Sequence, residues 1–399
     1  NEALLATNHH GCGPVHINVP LSEPLFEYNV CKLPNVRTIS RILPQTLVEA
    51  DLHELISQFL RAEKPMIVVG QMRPTTIDTT LIKELEKHAV VISEVLSGVG
   101  TLLNADELLA TSTETVELKP DFILYLGGHL IGKNIKSLLR QTQDAAQWLI
   151  NEGGDVIDTF MHLTTIVETL PNNVLSLMVQ MLKQIDEKQH KTRANAYIQR
   201  WQKAHNDYRE HLKKERLEYT EAFAVQCFEQ QLSHNTTPYE VHYANSMSVR
   251  LANKYARHHV WCNRGVNGIE GSLSTAAGMS LTTTNNVYCI IGDLSFFYDQ
   301  NALWNTRLKG NFRIMLLNNG GGKIFQHVKG IPADDIRDTF VSAEHRTSAQ
   351  GICQQNGIKY LVANNKKELQ KGVTELINHN EDCPIVLEVN FKQSTGASA

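Results

Sequence analysis

The sequence predicts an α/β protein built from two doubly wound, mainly parallel-sheet domains. Three observations carry that prediction. Short apolar runs recur with room for a helix between them, glycines break the chain directly after several of these runs, and a long charged stretch separates the two alternating regions. A length of 399 residues suits two or three domains, each able to bury its own core.

The elements follow in order. Residues 13–20 (GPVHINVP) read as a short strand closed by proline with no sheet partner upstream, so this strand is expected to pair with a downstream sheet, to be the last strand of a preceding domain, or to be a natural edge strand. From residue 65 the alternation is plain. An apolar strand at 66–70 is followed by a helical stretch at 75–88 and a strand at 89–92. A strand at 121–126 is broken by Gly127 and Gly128, then a helix at 134–140 leads to a strand at 147–151. These make 31–182 one doubly wound middle domain.

Over 183–218 the composition shifts to mixed charge, with Tyr197, Trp201, Tyr208 and Leu212 at helical spacing on one face. This is an amphipathic helical connector whose aromatics are packing residues. The second domain, 219–399, reads as a helix over 239–256, a strand at 259–262, a small-residue helix from 273 and a strand at 287–291. A helix at 296–308, a strand at 312–317, the loop 318–322 (NNGGG), more helix and a last strand at 384–389 complete it.

Composition excludes several functions. With 38 Lys+Arg against 42 Asp+Glu, the formal charge of -4 gives no cationic field for a polyphosphate backbone, so nucleic acid is not an expected partner. The seven cysteines are odd in number and never spaced CxxC, which fits a reducing compartment and neither a disulfide framework nor a zinc ribbon. No apolar run approaches the ~18 to 20 residues of a membrane span. A cytoplasmic protein with no membrane partner is expected.

The chemistry concentrates at Asp293, directly after one apolar strand, and Asn318-Asn319, directly after the next. Ligands of parallel α/β sheets collect at the carboxyl ends of strands, so these groups should converge on one crevice. One carboxylate, one amide oxygen and a glycine-rich backbone suit Mg2+ holding a diphosphate, and Ser295 adds a helix start that favours anions. Equally, Asp293 and Ser295 can cap a helix while NNGGG forms an ordinary turn, and the residues alone leave both readings open. The run ending in Gly322-Lys323-Ile324 lacks the GxxxxGK[ST] arrangement of a P-loop. The pairs His9-His10 and His258-His259 lack a helical i, i+4 partner and are assigned no metal.

These residues resemble the signature of the thiamine-diphosphate (ThDP) enzyme superfamily, GDG followed further along by NN, with Leu294 in place of the last glycine. Four segments carry a closer resemblance: Gly292-Asp293-Leu294-Ser295-Phe296 with Asn301-Ala302-Leu303, residues 13–20, Asn263-Arg264-Gly265 through Gly268-Ile269-Glu270-Gly271, and Gly321-Gly322-Lys323-Ile324-Phe325. In that form the chain is similar from end to end to the menaquinone-pathway synthases that make 2-succinyl-5-enolpyruvyl-6-hydroxy-3-cyclohexene-1-carboxylate.

The resemblance implies Mg2+ ligands at the Asp293 carboxylate, the Asn319 side-chain oxygen and the Gly321 carbonyl. It implies ThDP contacts from Gly292, Asp293, Leu294, Ser295, Asn319 and Ile269, the isoleucine wedging the cofactor into its bent conformation. The implied substrates are 2-oxoglutarate and isochorismate, both dicarboxylates, and guanidinium forks suit such groups. Ser246, Arg250 and Arg264 would meet them, Ser246 and Arg250 from one helical face, with Lys133 contributed by the middle domain. Ile324, Phe325 and Val328 would form an apolar wall. Asn134 stands where a second basic residue is often found.

The family also needs an activating glutamate from a pyrimidine-binding domain that precedes GPVHINVP, so the resemblance implies that residues 1–30 are the remnant of that domain and a linker. No counterpart is expected in this chain, and Glu94, the one superficial candidate, is expected to face solvent. The chain is thus expected to be a fragment that binds ThDP and Mg2+ weakly or not at all and is inactive alone, from a full-length homo-oligomer, dimer or tetramer. Another ThDP enzyme, of the acetolactate synthase or 2-oxoacid decarboxylase type, would normally keep GDG. A non-catalytic α/β binding module would share the fold without magnesium dependence.

Overall fold

A strand such as Pro65–Val69 (β1), buried at all five positions, has no face for water and must be covered by helices on both sides. In the computed structural model this holds in both domains. The structure describes residues 3, 7, 13–20, 32, 49–102, 104–112, 115–153, 157–184, 187–327 and 336–391. In the middle domain, Val90–Ser93 (β2), Phe122–Leu126 (β3), Ala146–Ile150 (β4) and Thr165–Val167 (β5) join β1 in a parallel sheet of order β2-β1-β3-β4-β5. Register is fixed by pairs such as Ile67↔Val91 and Ile67↔Leu124.

In the C-terminal domain, Tyr239–Tyr243 (β6), Asn286–Gly292 (β7), Phe312–Asn318 (β8), Lys359–Ala363 (β9) and Ile385–Asn390 (β10) form a second parallel sheet of order β6-β7-β8-β10-β9. The chain leaves β6, bridges back at Trp261 on its outer side through His242↔Trp261, then crosses to β7 on the other. The order therefore reverses around β6, which places the ligand crevice of such a sheet beyond the ends of β6 and β7.

The helix Glu187–Lys214 lies across the middle domain. Tyr197 and Trp201 are buried in its core, and both donate to the carbonyl of Leu118, at 2.9 and 3.2 Å. At the junction Val95, Leu96 and Ile131 of the middle domain pack within the C-terminal core. Burying three such side chains contributes on the order of 5 kcal/mol. Polar contacts fix the same junction. The Asn104 amide donates to the carbonyls of Asn253 and Lys254 at 2.8 and 2.9 Å, satisfying the open end of the helix Met247–Tyr255.

Several elements differ from expectation. Residues 13–20 make no sheet pairing and are exposed throughout, because no described strand lies beside them to complete a ladder. The helix expected over 239–256 divides into β6 and the helix Met247–Tyr255. Tyr239–Tyr243 carries aromatic and β-branched residues that prefer a pleat, and the helix starts only after the turn through Ser246. The strand expected at 259–262 is reduced to the bridge at Trp261. The helix expected at 296–308 starts at Asp293, stops at Tyr298 and continues only as a 3-10 turn over Gln300–Trp304.

Candidate functional site

The loops that leave β6, β7 and β8 enclose a cleft of about 130 Å³. Asn245 to Ser248 come from the first, Gly292 to Ser295 from the second and Asn319 to Phe325 from the third, with Ile269 and Glu221 completing the wall. Of the sequence-predicted residues, Ser246, Ile269, Gly292, Asp293, Leu294, Ser295, Asn319, Gly321, Ile324 and Phe325 all line it. Val328 lies outside the described residues.

Asp293 is the organising charge. It is 3% exposed and follows β7 directly. Its Oδ2 accepts the backbone N–H groups of Asn319, Gly320 and Gly321 at 3.1, 2.7 and 3.0 Å, and Oδ1 accepts that of Leu294 at 2.7 Å. One carboxylate thereby folds the NNGGG loop around itself. Burial raises its pKa against these hydrogen bonds and against His345, whose Nε2 stands 3.3 Å from Oδ2. Gly321 makes the loop possible. At φ +148° it adopts a backbone closed to side chains, and a Cβ there would lie 2.7 Å from the Ser342 carbonyl oxygen.

Asn319 presents an amide whose Nδ2 is tied to the Glu221 carboxylate at 2.7 Å. Its Oδ1 accepts the Gly321 N–H at 3.2 Å. The donor set is all oxygen: a carboxylate, an amide oxygen and the carbonyls of a glycine loop. That chemistry fits Mg2+, and Oδ1 of Asp293, with one hydrogen bond, keeps a lone pair for a cation.

Asn245, which sequence reading missed, holds the opposite wall. It is buried, donates to the Gly268 carbonyl at 2.6 Å and to that of Asn263, and accepts from Arg264 at 3.0 Å. It thus clamps the 263–268 loop that carries Arg264 and ends beside Ile269. Ser246, with φ +72°, precedes the helix that begins at Met247, so it does not share a helical face with Arg250 as expected. A residue in that conformation turns the chain into the cleft before the helix starts.

The arginines stand behind the cleft rather than in its wall. Arg264, 6% exposed, donates to the Leu130 carbonyl at 3.3 Å, and its Nε has no partner among the described residues. Arg250 donates to the Ile131 carbonyl at 3.2 Å. Both therefore meet the middle-domain loop that leads into Lys133, itself exposed at the first position of the helix Lys133–Arg140. Glu94 corrects an expectation. It does not face solvent but is 6% exposed, its carboxylate held by the N–H groups of Ile131 and Gly132 beneath the same loop. The strand β2 ends at Ser93, and the turn after it points the next side chain inward at the domain junction.

Among the described residues no group of three or more His, Cys, Asp or Glu side chains gathers as a metal site, and no helix is long and apolar enough to cross a membrane. Glu221, Asn245 and His345 carried no sequence signal, since each reaches the cleft or its loop from a segment without a motif.

Comparison with known proteins agrees with this geometry. Residues 44–239 match the family model described as the middle domain of thiamine pyrophosphate, and residues 244–389 match that of the thiamine pyrophosphate enzyme C-terminal TPP binding domain. The chain is 35% identical to the 2-succinyl-5-enolpyruvyl-6-hydroxy-3-cyclohexene-1-carboxylate synthase of Bacteroides thetaiotaomicron, over 98% of this chain and 69% of that protein. It is 36% identical to the synthase of the same name from Bacteroides fragilis, over 98% and 70%. To that of Cytophaga hutchinsonii it is 32% identical over 94% and 67%. With a ThDP-binding C-terminal domain, a matching middle domain and these relatives, the chain belongs to the 2-succinyl-5-enolpyruvyl-6-hydroxy-3-cyclohexene-1-carboxylate synthase family of ThDP-dependent enzymes.

Proposed function

We propose that this chain carries the diphosphate half of a ThDP- and Mg2+-dependent synthase that decarboxylates 2-oxoglutarate and adds the resulting succinyl-semialdehyde carbanion to isochorismate in menaquinone biosynthesis. The observation that supports it is the convergence of Asp293, Asn319 and Gly321 on one cleft, with Ile269 opposite. When bound, ThDP supplies the carbanion chemistry that side chains lack. Asp293, the Asn319 oxygen and the Gly321 carbonyl would hold Mg2+ against the diphosphate, and Ile269 would press on the cofactor to bend it.

The chain's own residues then set access and charge. Ile324 and Phe325 exclude water from one side of the cleft, which strengthens electrostatic interactions within it. Lys323 is the cation of the described cleft wall and suits an anionic group. Arg250, Arg264 and the segment at Lys133 place positive charge where the two domains meet, beside the cleft, and dicarboxylate substrates need such partners.

The carboxylates of the cleft wall are Asp293 and Glu221, each already engaged with the 319–321 segment, and Glu94 is bound beneath the 130–132 loop. None is free to activate the cofactor. The resemblance implies that the activating glutamate comes from a pyrimidine-binding domain, so the 399-residue chain alone is expected to bind ThDP weakly and not to turn over. The complete enzyme is expected to be a homo-oligomer, dimer or tetramer, as the resemblance implies.

The test is to supply a pyrimidine-binding domain in trans and assay 2-oxoglutarate decarboxylation with and without isochorismate. Activity that needs both the added domain and Mg2+ supports the reading. Activity with pyruvate in place of 2-oxoglutarate would point to an acetolactate synthase or decarboxylase type instead.

A further inference from the structure

An asparagine amide offers two faces of similar shape and opposite polarity. Turned one way it gives a cation an oxygen, turned the other an NH2 group that repels it. Asn319 is half-buried and would be free to present either face unless a neighbour chose between them.

That neighbour is Glu221. A carboxylate only accepts, so its Oε1, 2.7 Å from Asn319 Nδ2, selects the orientation in which the nitrogen points away and Oδ1 faces the glycine loop. Glu221 is held in place in turn. It is the first residue of the helix Glu221–Leu232, whose N-cap Thr220 accepts the Phe223 N–H, and its charge suits that helix end. Its position is thus set by backbone structure rather than by a flexible loop.

The adjacent residue follows the same rule with a different carboxylate. Asn318 Nδ2 donates to Glu388 Oε1 at 2.6 Å and to the Thr347 carbonyl at 2.9 Å, while its Oδ1 accepts the Gly320 N–H at 3.2 Å. Glu388 is 2% exposed and also accepts from Ser348, Ala349 and Tyr360, so it belongs to the core. Glu221 alone of the two carboxylates lines the cleft.

We propose that Glu221 is a positioning residue: it holds the Asn319 amide with Oδ1 toward the cation and thereby sets the affinity of the cleft for a divalent metal with diphosphate. The inference rests on the cation reading of the cleft given above. Groups that orient a metal ligand typically change metal affinity by about 10- to 100-fold when removed.

The probe is Mn2+, read by the loss of its free EPR signal on titration into the 399-residue chain with ThDP in excess. Wild type, Glu221→Ala, Glu221→Gln and Asp293→Asn are compared, with metal-free melting curves for each. Glu221→Ala is expected to bind Mn2+ about 10- to 100-fold more weakly with a nearly unchanged melting curve. Glu221→Gln keeps an acceptor for Asn319 Nδ2 and is expected to stay within about threefold of wild type. Wild-type affinity in Glu221→Ala would overturn the proposal, as would an equal loss in Glu221→Gln, which would make charge rather than orientation the cause. A wild-type chain without a ThDP-dependent Mn2+ site even when a pyrimidine-binding domain is added in trans would overturn the cation reading itself and this inference with it.

Discussion

The Glu94 carboxylate accepts the backbone N–H of Gly132 at 2.7 Å, and so holds from beneath the loop whose carbonyls receive Arg250 and Arg264 from above. A middle-domain acid and two C-terminal-domain cations thus grip one short segment from opposite sides. Burial raises the Glu94 pKa to about 7 despite these hydrogen bonds, and Glu107, also at the junction and hydrogen-bonded by Asn253, is likewise pushed up to about 7.

Both shifts give the junction a pH dependence of definite sign. A carboxyl with a folded pKa above its unfolded value holds its proton more tightly when folded, so its contribution is full below about 4.5 and is lost as pH rises toward 7. Each pK unit corresponds to about 1.4 kcal/mol. Thermal unfolding should show these groups favouring the folded state at pH 5.5 over pH 8, with a flatter profile in Glu94→Gln. Parallel profiles for wild type and Glu94→Gln would contradict this.

Asp293→Asn should act twice. It removes the anionic ligand, and an amide cannot accept from Leu294 on one side and the 319–321 amides on the other without turning a donor toward a donor. Mg2+-dependent ThDP binding should be lost, and a buried mismatch of this kind costs about 1 to 3 kcal/mol, visible in urea unfolding.

Gly321→Ala should fail for backbone reasons alone. The strain at φ +148° and the contact with Ser342 would cost about 1 to 3 kcal/mol, and relief of either moves the carbonyl assigned to the metal. Denaturation and Mn2+ titration should therefore fall together. A variant of wild-type stability would show the loop to be more pliable than its geometry indicates.

The two arginines should separate by stability while agreeing in function. Arg264→Ala takes the guanidinium from the Asn245 oxygen and the Leu130 carbonyl and leaves them the Cys262 thiol and the Lys136 ammonium as donors, and losing hydrogen bonds made by a charged group costs about 1.5 to 3 kcal/mol. Arg250→Ala frees only the Ile131 carbonyl and should unfold nearly as wild type. In the complete enzyme both should impair turnover of dicarboxylate substrates and spare ThDP affinity. Unchanged kinetics in both would remove them from the substrate site.

How far the sequence could be read follows from where its signals are local. Asp293 and Asn319 were legible because each stands at the end of a fully buried apolar run, where a parallel sheet gathers its ligands. Tyr197 and Trp201 were legible as packing residues from their spacing. The partners of these groups were not. Glu221 reaches Asn319 across 98 residues, and Asn245 meets Arg264 across 19, contacts that only the folded chain creates. Thr165–Val167 and Lys359–Ala363 escaped notice because they are short and only partly buried, so no apolar run marks them. Glu94 was misplaced because a carboxylate after a strand usually faces water, and nothing local announces the Ile131 and Gly132 amides that receive it.

The most direct test of the account is calorimetric titration of ThDP into the 399-residue chain in Mg2+ and again in excess chelator, with Asp293→Asn alongside. The account predicts weak binding in Mg2+ that disappears on chelation and is absent from the variant. Equal heats with and without Mg2+, or an Asp293→Asn isotherm matching wild type, would contradict a cation held by Asp293, Asn319 and Gly321.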